Sequence, residues 1–232
     1  MAVEQVEFHF DPVCPFCWVT SQWVREVVSL RSVEVDWRPL SLRVLNEGIG
    51  YADKPADYPQ AHQRGLEMLR LVVAAERLYG PEIVGDLYRE LGQAVWDVPA
   101  PRQATFEAVL AETARRRDLG AVLSRLGLDT GLAEAAVNSE YDEVIRQETN
   151  AAVERAGGGV GTPILSFAPP DGPAFFGPVI DTPPEGQEAL RLWDAVTTLA
   201  YRPGFAELKR GVRSFPDTPL SAAIAGERTR VR

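Results

Sequence analysis

Cysteine is scarce in this chain: 232 residues hold two, Cys14 and Cys17. A small secreted domain stapled by disulfides would carry more of them, spread further apart. Histidine is equally rare, only His9 and His62, and His62 lies 45 residues beyond Cys17. That is not the ligand spacing of a zinc motif. A hydrolytic Cys–His pair would draw on the same two histidines and would leave Cys17 without a role. No run of 18 apolar residues occurs, so no transmembrane helix is expected. Positive charge is in deficit, 24 Lys and Arg against 33 Asp and Glu, for a net charge of −9. With no basic stripe, a nucleic-acid partner is not expected. The longest basic run, Arg115-Arg116-Arg117, falls in a helical pattern and reads as a solvated helix end. Gly157-Gly158-Gly159 with Gly161 lacks the Lys-Ser/Thr of a phosphate loop and the preceding strand of a dinucleotide fingerprint. A colourless protein without bound flavin follows. The opening Met-Ala-Val-Glu-Gln-Val-Glu has neither the basic start nor the apolar core of a secretory signal, so the chain reads as cytoplasmic.

What remains is an ordinary globular composition, 45% apolar and 25% charged. A chain of this length buries roughly 70% of its unfolded surface and needs no covalent staple. Val6, Phe8 and Phe10 alternate with Glu7 and His9, a strand pattern across 3–10. Asp11-Pro12 punctuates it. Helical spacing then runs over 15–30 with Trp18, Val24, Val27, Val28 and Leu30 apolar, and Pro15 suits the first turn. Alternation returns at Val33–Trp37, completing a βαβ unit. From 60 to 156 the apolar spacing is three and four, which predicts helices near 60–79, 82–97, 102–117, 119–126, 131–137 and 139–155. After the glycine run, Pro163–Phe167 and Ala174–Phe176 read as a hairpin across a Pro/Gly turn. A helix over 185–201 follows, then a short one near 204–210 and a polar arm that frays toward Arg232. The fold class is α/β, a βαβ…ββα mixed sheet with a large all-helical insertion lying over one edge. The boundaries are 1–45 and 157–210 for the sheet domain, 58–156 for the insertion and 211–232 for the C-terminal tail.

Cys14-Pro15-Phe16-Cys17 sits where the first strand ends and the first helix begins. Cys14 there caps the helix, its sulfur near free backbone N–H groups and the positive dipole end. A cysteine near pKa 8.5 falls by up to several units in such motifs. Cys17, one turn further in, is shielded and able to attack a mixed disulfide on Cys14. A ring this short removes little chain entropy, so stapling is a poor explanation for the pair. Glu7 and His9 precede the motif and could relay protons to Cys17, or could equally be a polar strand face meeting polar neighbours. His62 reads as a surface residue.

The segment Phe10-Asp-Pro-Val-Cys-Pro-Phe-Cys-Trp-Val-Thr-Ser21 resembles the active-site segment of DsbA-like thiol-disulfide oxidoreductases. More narrowly, it is similar to the actinobacterial mycothiol-dependent nitroreductase family. The likeness continues through Ser41–Glu47, Ala74-Ala-Glu76, Gly161-Thr-Pro163, Phe175–Val179, Leu192-Trp-Asp194 and Phe205–Arg210, in the same order. The resemblance implies a thioredoxin-like fold, no bound cofactor, and mycothiol as the electron-donating thiol. It implies Cys14 and Cys17 as the catalytic pair, with Pro15, Phe16, Thr162 and Pro163 in the active-site loops. The Thr162–Pro163 bond is expected to be cis and to face Cys14. Trp18, Asn46 and Tyr58 fall where the family's substrate pocket is expected. Phe16 stands where the family usually has Trp, the turn over 168–173 is longer than usual, and the C-terminal tail is extended. The function implied is reduction of nitro or other electrophilic small molecules by a monomer or homodimer. Open alternatives are a thiol-dependent isomerase of the 2-hydroxychromene-2-carboxylate type, a DsbA-like oxidoreductase acting on proteins, and a binding module.

Overall fold

A computed structural model describes residues 3–103, 105–226 and 228–230. The alternating segment forms β1 (Glu4–Phe10), the helical one α1 (Pro15–Leu30), and the second alternating one β2 (Val33–Pro39). Two strands follow late in the chain, β3 (Ile164–Phe167) and β4 (Ala174–Phe176), before α8 (Gly186–Ala200). Between the halves lie α2 (Leu42–Leu45), α3 (Tyr58–Tyr79), α4 (Glu82–Trp96), α5 (Phe106–Thr113), α6 (Leu119–Arg125), two 3₁₀ turns over 130–141, and α7 (Asp142–Arg155). The sheet runs β2-β1-β3-β4, with β1 parallel to β2 and antiparallel to β3, and β3 antiparallel to β4. Phe8 sits opposite Trp37 on one side and Leu165 on the other. This is the expected βαβ…ββα order with its helical insertion.

One sheet face carries Val6, Phe8, Phe10, Leu165 and Phe167, all buried. It is covered by α1 and α8, where Trp23 meets Trp193 at 5.4 Å and Trp193 meets Phe167 at 5.9 Å. Tyr88 of α4 stacks on Phe10 at 3.8 Å. Period-two alternation sends Glu7, His9, Ile164 and Ser166 to the other face. There α7 supplies the cover: Arg155 pairs with Glu7 at 2.7 Å, and Ala152 packs with Ile164 and Leu40. The insertion therefore reaches both faces rather than lying over one edge only. The reason is physical. With α1 and α8 on one side, Ile164 and Ser166 would face water without α7.

Local chemistry explains the departures from the sequence pattern. The helix expected over 102–117 is confined to α5. Thr105 caps its start through Oγ1, and Arg117 folds back to donate to the Glu112 carbonyl at 2.7 Å near its end. The segment 130–137 winds as 3₁₀, with Arg70 taking the Ala136 carbonyl at 3.1 Å. No helix forms over 204–210, where Leu208 is 82% exposed and has no apolar surface to join. Val28 and Leu30, counted with the apolar side of α1, are exposed. The C-terminal arm is more than a polar tail. Leu220 and Ile224 are buried in the main core, and Thr218 and Ser221 bond each other's backbone N–H groups. A short antiparallel pair, β5 (Val212–Ser214) with β6 (Arg228–Arg230), flanks that buried turn; the expected fray at residues 231–232 lies outside the described residues. Among the described residues no helix is long and apolar enough to cross a membrane.

Candidate active site

Cys14 is the N-cap of α1, held in extended backbone, and Pro15 occupies the first turn where a missing N–H leaves no bond unmade. The Cys14 sulfur accepts the Cys17 N–H at 3.4 Å, one of the orphan donors of the helix start. Cys14 is 5% exposed and Cys17 fully buried; the two are free thiols. Across from them lies the turn before β3, whose Thr162–Pro163 bond is cis, as expected. The Cys14 sulfur lies 3.7 Å from the Thr162 carbonyl, and the Cys17 sulfur 2.8 Å from the Thr162 hydroxyl. That hydroxyl also reaches the His9 carbonyl at 3.4 Å. With its proton on that carbonyl, the hydroxyl accepts from a Cys17 thiol. Rotated, it donates to a Cys17 thiolate. Burial, reinforced by the adjacent Cys14, pushes the Cys17 thiol well above its ordinary range.

The loop carrying Cys14 is pinned by a residue that sequence reasoning treated as punctuation. Asp11 is fully buried. Its carboxylate oxygens accept the Val13 N–H at 3.0 Å and the Leu42 N–H at 2.7 Å, while its carbonyl accepts the Cys14 N–H at 3.0 Å. Burial outweighs those two side-chain bonds and raises the carboxyl to about 7. Gly65 of α3 closes over it: a Cβ there would stand 2.4 Å from Asp11 Oδ1. The Trp96 indole donates to the Pro12 carbonyl at 2.9 Å, tying α4 to the same loop. Only the Asp-Pro pair itself hinted at this, and such pairs are common at strand ends.

The remaining candidates divide. Phe16 is half-buried and packs on the core cluster to which both cysteines belong. Tyr58 opens α3; burial and the nearby Cys14 both raise its hydroxyl. Asn46 ends α2 and spends an amide hydrogen on the Leu42 carbonyl at 2.8 Å. Trp18 is buried against Gly92 and edge-on to Tyr88. His62, expected at the surface, is a correction. It is buried on α3, accepts or donates at Nδ1 with the Tyr51 hydroxyl at 3.0 Å, and meets Tyr58 edge-on. Burial lowers it to about 4. His9 lies on the opposite sheet face from Phe8 and Phe10, near Glu7 at 3.5 Å and Ser166 at 3.4 Å. That is a polar strand face meeting polar neighbours, with Cys17 answered by Thr162 instead. Tyr88, which no sequence signal marked, lies buried within electrostatic reach of both sulfurs; burial, then Cys17, raises its hydroxyl well above the ordinary range.

Paired cysteines at a strand–helix junction of a mixed sheet, facing a cis proline, belong to an oxidoreductase of the thioredoxin-like, DsbA-like fold. Solved structures share the architecture. The probable DsbA oxidoreductase SCO1869 from Streptomyces coelicolor is 14% identical, with a TM-score of 0.51 over 93% of this chain and 97% of its own. The cytosolic disulfide reductase DsbM from Pseudomonas aeruginosa, solved with GSH, is 16% identical, with a TM-score of 0.50 over 84% of this chain and 99% of its own. Both likenesses are of fold. The chain itself belongs to the Rv2466c-like family, whose model, described as mycothiol-dependent nitroreductase Rv2466c, matches residues 13–210. Among curated proteins, "Uncharacterized protein Rv2286c" of Mycobacterium tuberculosis is 30% identical over 228 residues, covering 97% of this chain and 87% of its own.

Proposed function

We propose that Cys14 and Cys17 form the redox centre of a cytoplasmic, flavin-free reductase that draws electrons from mycothiol and passes them to nitro or other electrophilic small molecules. The observation that carries this reading is the pair's placement. Cys14 caps a helix at the edge of solvent, Cys17 lies sealed behind it, and Thr162 touches both sulfurs, in a chain of the mycothiol-dependent nitroreductase family. The thiolate is the attacking species in thiol chemistry, and Cys14 is the sulfur within reach. Oxidation of the dithiol to a disulfide releases two electrons and two protons, enough to take a nitro group to a nitroso group and water. Two mycothiol molecules restore the pair. The first attacks at Cys14, forming a mixed disulfide and freeing Cys17 as a thiol. The second attacks that mixed disulfide and leaves as oxidised mycothiol. The Thr162 hydroxyl serves Cys17 in both forms, accepting from the thiol and donating to the thiolate.

The test is a pair of substitutions. Cys14→Ser should abolish mycothiol-driven turnover. Cys17→Ser, incubated with oxidised mycothiol, should keep a stable Cys14–mycothiol mixed disulfide, seen as a mass increase, because no second thiol is present to displace it. Full turnover by Cys17→Ser would overturn the two-cysteine mechanism and favour a thiol-dependent isomerisation, which has no use for Cys17.

A further inference from the structure

Beyond residue 210, where the family match ends, the C-terminal arm is built into the surroundings of the cysteines. Its Leu220 N–H bonds the Trp96 carbonyl at 3.0 Å, and the Trp96 indole bonds the Pro12 carbonyl at 2.9 Å, two residues before Cys14. On the other side, its Asp217 N–H bonds the Asp181 carbonyl at 2.8 Å. Asp181 lies three residues past Pro178, whose carbonyl takes the α1 hydroxyl of Thr20 at 3.0 Å. The arm thus spans from the helical insertion to the segment that follows β4.

The arm carries one large aromatic residue, Phe215, and a chain of rings links it to the site. Phe215 meets Phe106 edge-on at 5.8 Å, and Phe106 meets Tyr58 at 6.1 Å. Tyr58, His62 and Gly65 share one stripe of α3 by their spacing of four and three, and Gly65 is the point where that stripe meets Asp11 and Val13. Tyr58 therefore stands two turns, about 10 Å, along the helix face that lies over the Cys14 loop. All three rings are half-buried. Each keeps part of its surface in water, unlike Phe8, Phe10 and Tyr88, which the core encloses.

We infer that Phe215 and Phe106, continuing from Tyr58, form an aromatic wall at the mouth of the cysteine site that takes a flat aryl electrophile against its rings. The inference rests on the proposed reductase function and assigns specificity to the arm, which lies outside the family-matched segment. Ring-on-ring contact selects for planarity.

The experiment titrates 4-nitrobenzyl alcohol onto the full chain carrying Cys14→Ser, which cannot turn over, and follows tryptophan fluorescence quenching. Phe215→Ala should weaken binding about two- to tenfold. Phe215→Tyr should restore it, and Phe215→Leu, which keeps apolar bulk but lacks a ring face, should not. With Cys14 present, the same substitutions should raise KM for the nitroarene and leave kcat within twofold. Parallel kinetics with hydroxyethyl disulfide, a small non-aromatic oxidant, should change less than those with the nitroarene. Equal binding by the Phe215→Ala, Phe215→Leu and parent proteins would overturn the wall, as would an equal loss with both oxidants. Binding that follows the ring, in a protein that does not reduce the nitroarene with mycothiol, would leave the wall standing and remove the nitroreductase reading instead. Should Phe215→Ala fold poorly by thermal melting, Phe215→Leu and Phe106→Leu carry the same test.

Discussion

Asp11→Asn isolates one buried charge beneath the cysteine loop, and the structure sets its size. The carboxyl is fully buried and receives two backbone N–H groups, yet burial dominates and raises it from 3.8 to about 7. A folded pKa above the unfolded one means that the native state holds the proton more tightly. Between about pH 4 and about pH 7 the native chain then carries one proton more than the unfolded chain, so stability falls as pH rises through that window. A shift of about three units at 1.36 kcal/mol each gives about 4 kcal/mol. Asn cannot titrate. The stability of wild type minus that of Asp11→Asn should therefore fall by about 4 kcal/mol from about pH 4 to about pH 8. A constant offset of about 1–3 kcal/mol comes on top, because the amide can accept only one of the two N–H groups. That offset shifts the curve without tilting it. Urea unfolding of both proteins at closely spaced pH values measures the difference, provided the slopes against urea agree. A difference that is flat, or that rises with pH, would show that the two N–H donors overcome burial and would refute the reasoning.

Two packing predictions accompany those for the cysteine pair and for Phe215. An added Cβ at Gly92 would stand 2.2 Å from two ring carbons of Trp18, a buried ring with no room to swing. Gly92→Ala should therefore lower the thermal midpoint, since overpacking costs about 1–3 kcal/mol and the helix-propensity gain is about 1; a raised midpoint would show that α1 and α4 slide apart freely. Leu220→Ala should cost about 2–5 kcal/mol in chemical denaturation, as for other fully buried leucines. A loss well under 1 kcal/mol would mean that the arm contributes nothing to the core.

The parts of the fold legible in the sequence are those with strong local period. β1, α1 and β2 follow alternation and then three-four spacing, and each stands within a few residues of its expected bounds. The cysteine pair was legible for the same reason: its spacing, the adjacent proline and the strand-to-helix change are all local. The likeness of ordered blocks from 10 to 210 extended that reading to the Thr162 turn, which no local rule would have joined to Cys14 across 148 residues.

What the sequence by itself determined, then, is the chemistry-bearing pair, the element types around it and the order of strands and helices. Tertiary structure alone decided which side chains surround the sulfurs. Asp11 and Tyr88 matter through burial, and burial of a charged or phenolic group is a property of the space around it, invisible to periodicity. The surroundings of Trp18 and His62 were hidden for a related reason. A tryptophan beside a cysteine and a histidine on a helix have no fixed partner until α4 supplies Gly92 for the one and the loop before α3 supplies Tyr51 for the other. The C-terminal arm is the clearest case. Its polar composition reads as a tail, yet two apolar side chains, Leu220 and Ile224, suffice to seat it. They could do so only because distant segments had already built the surface they fill.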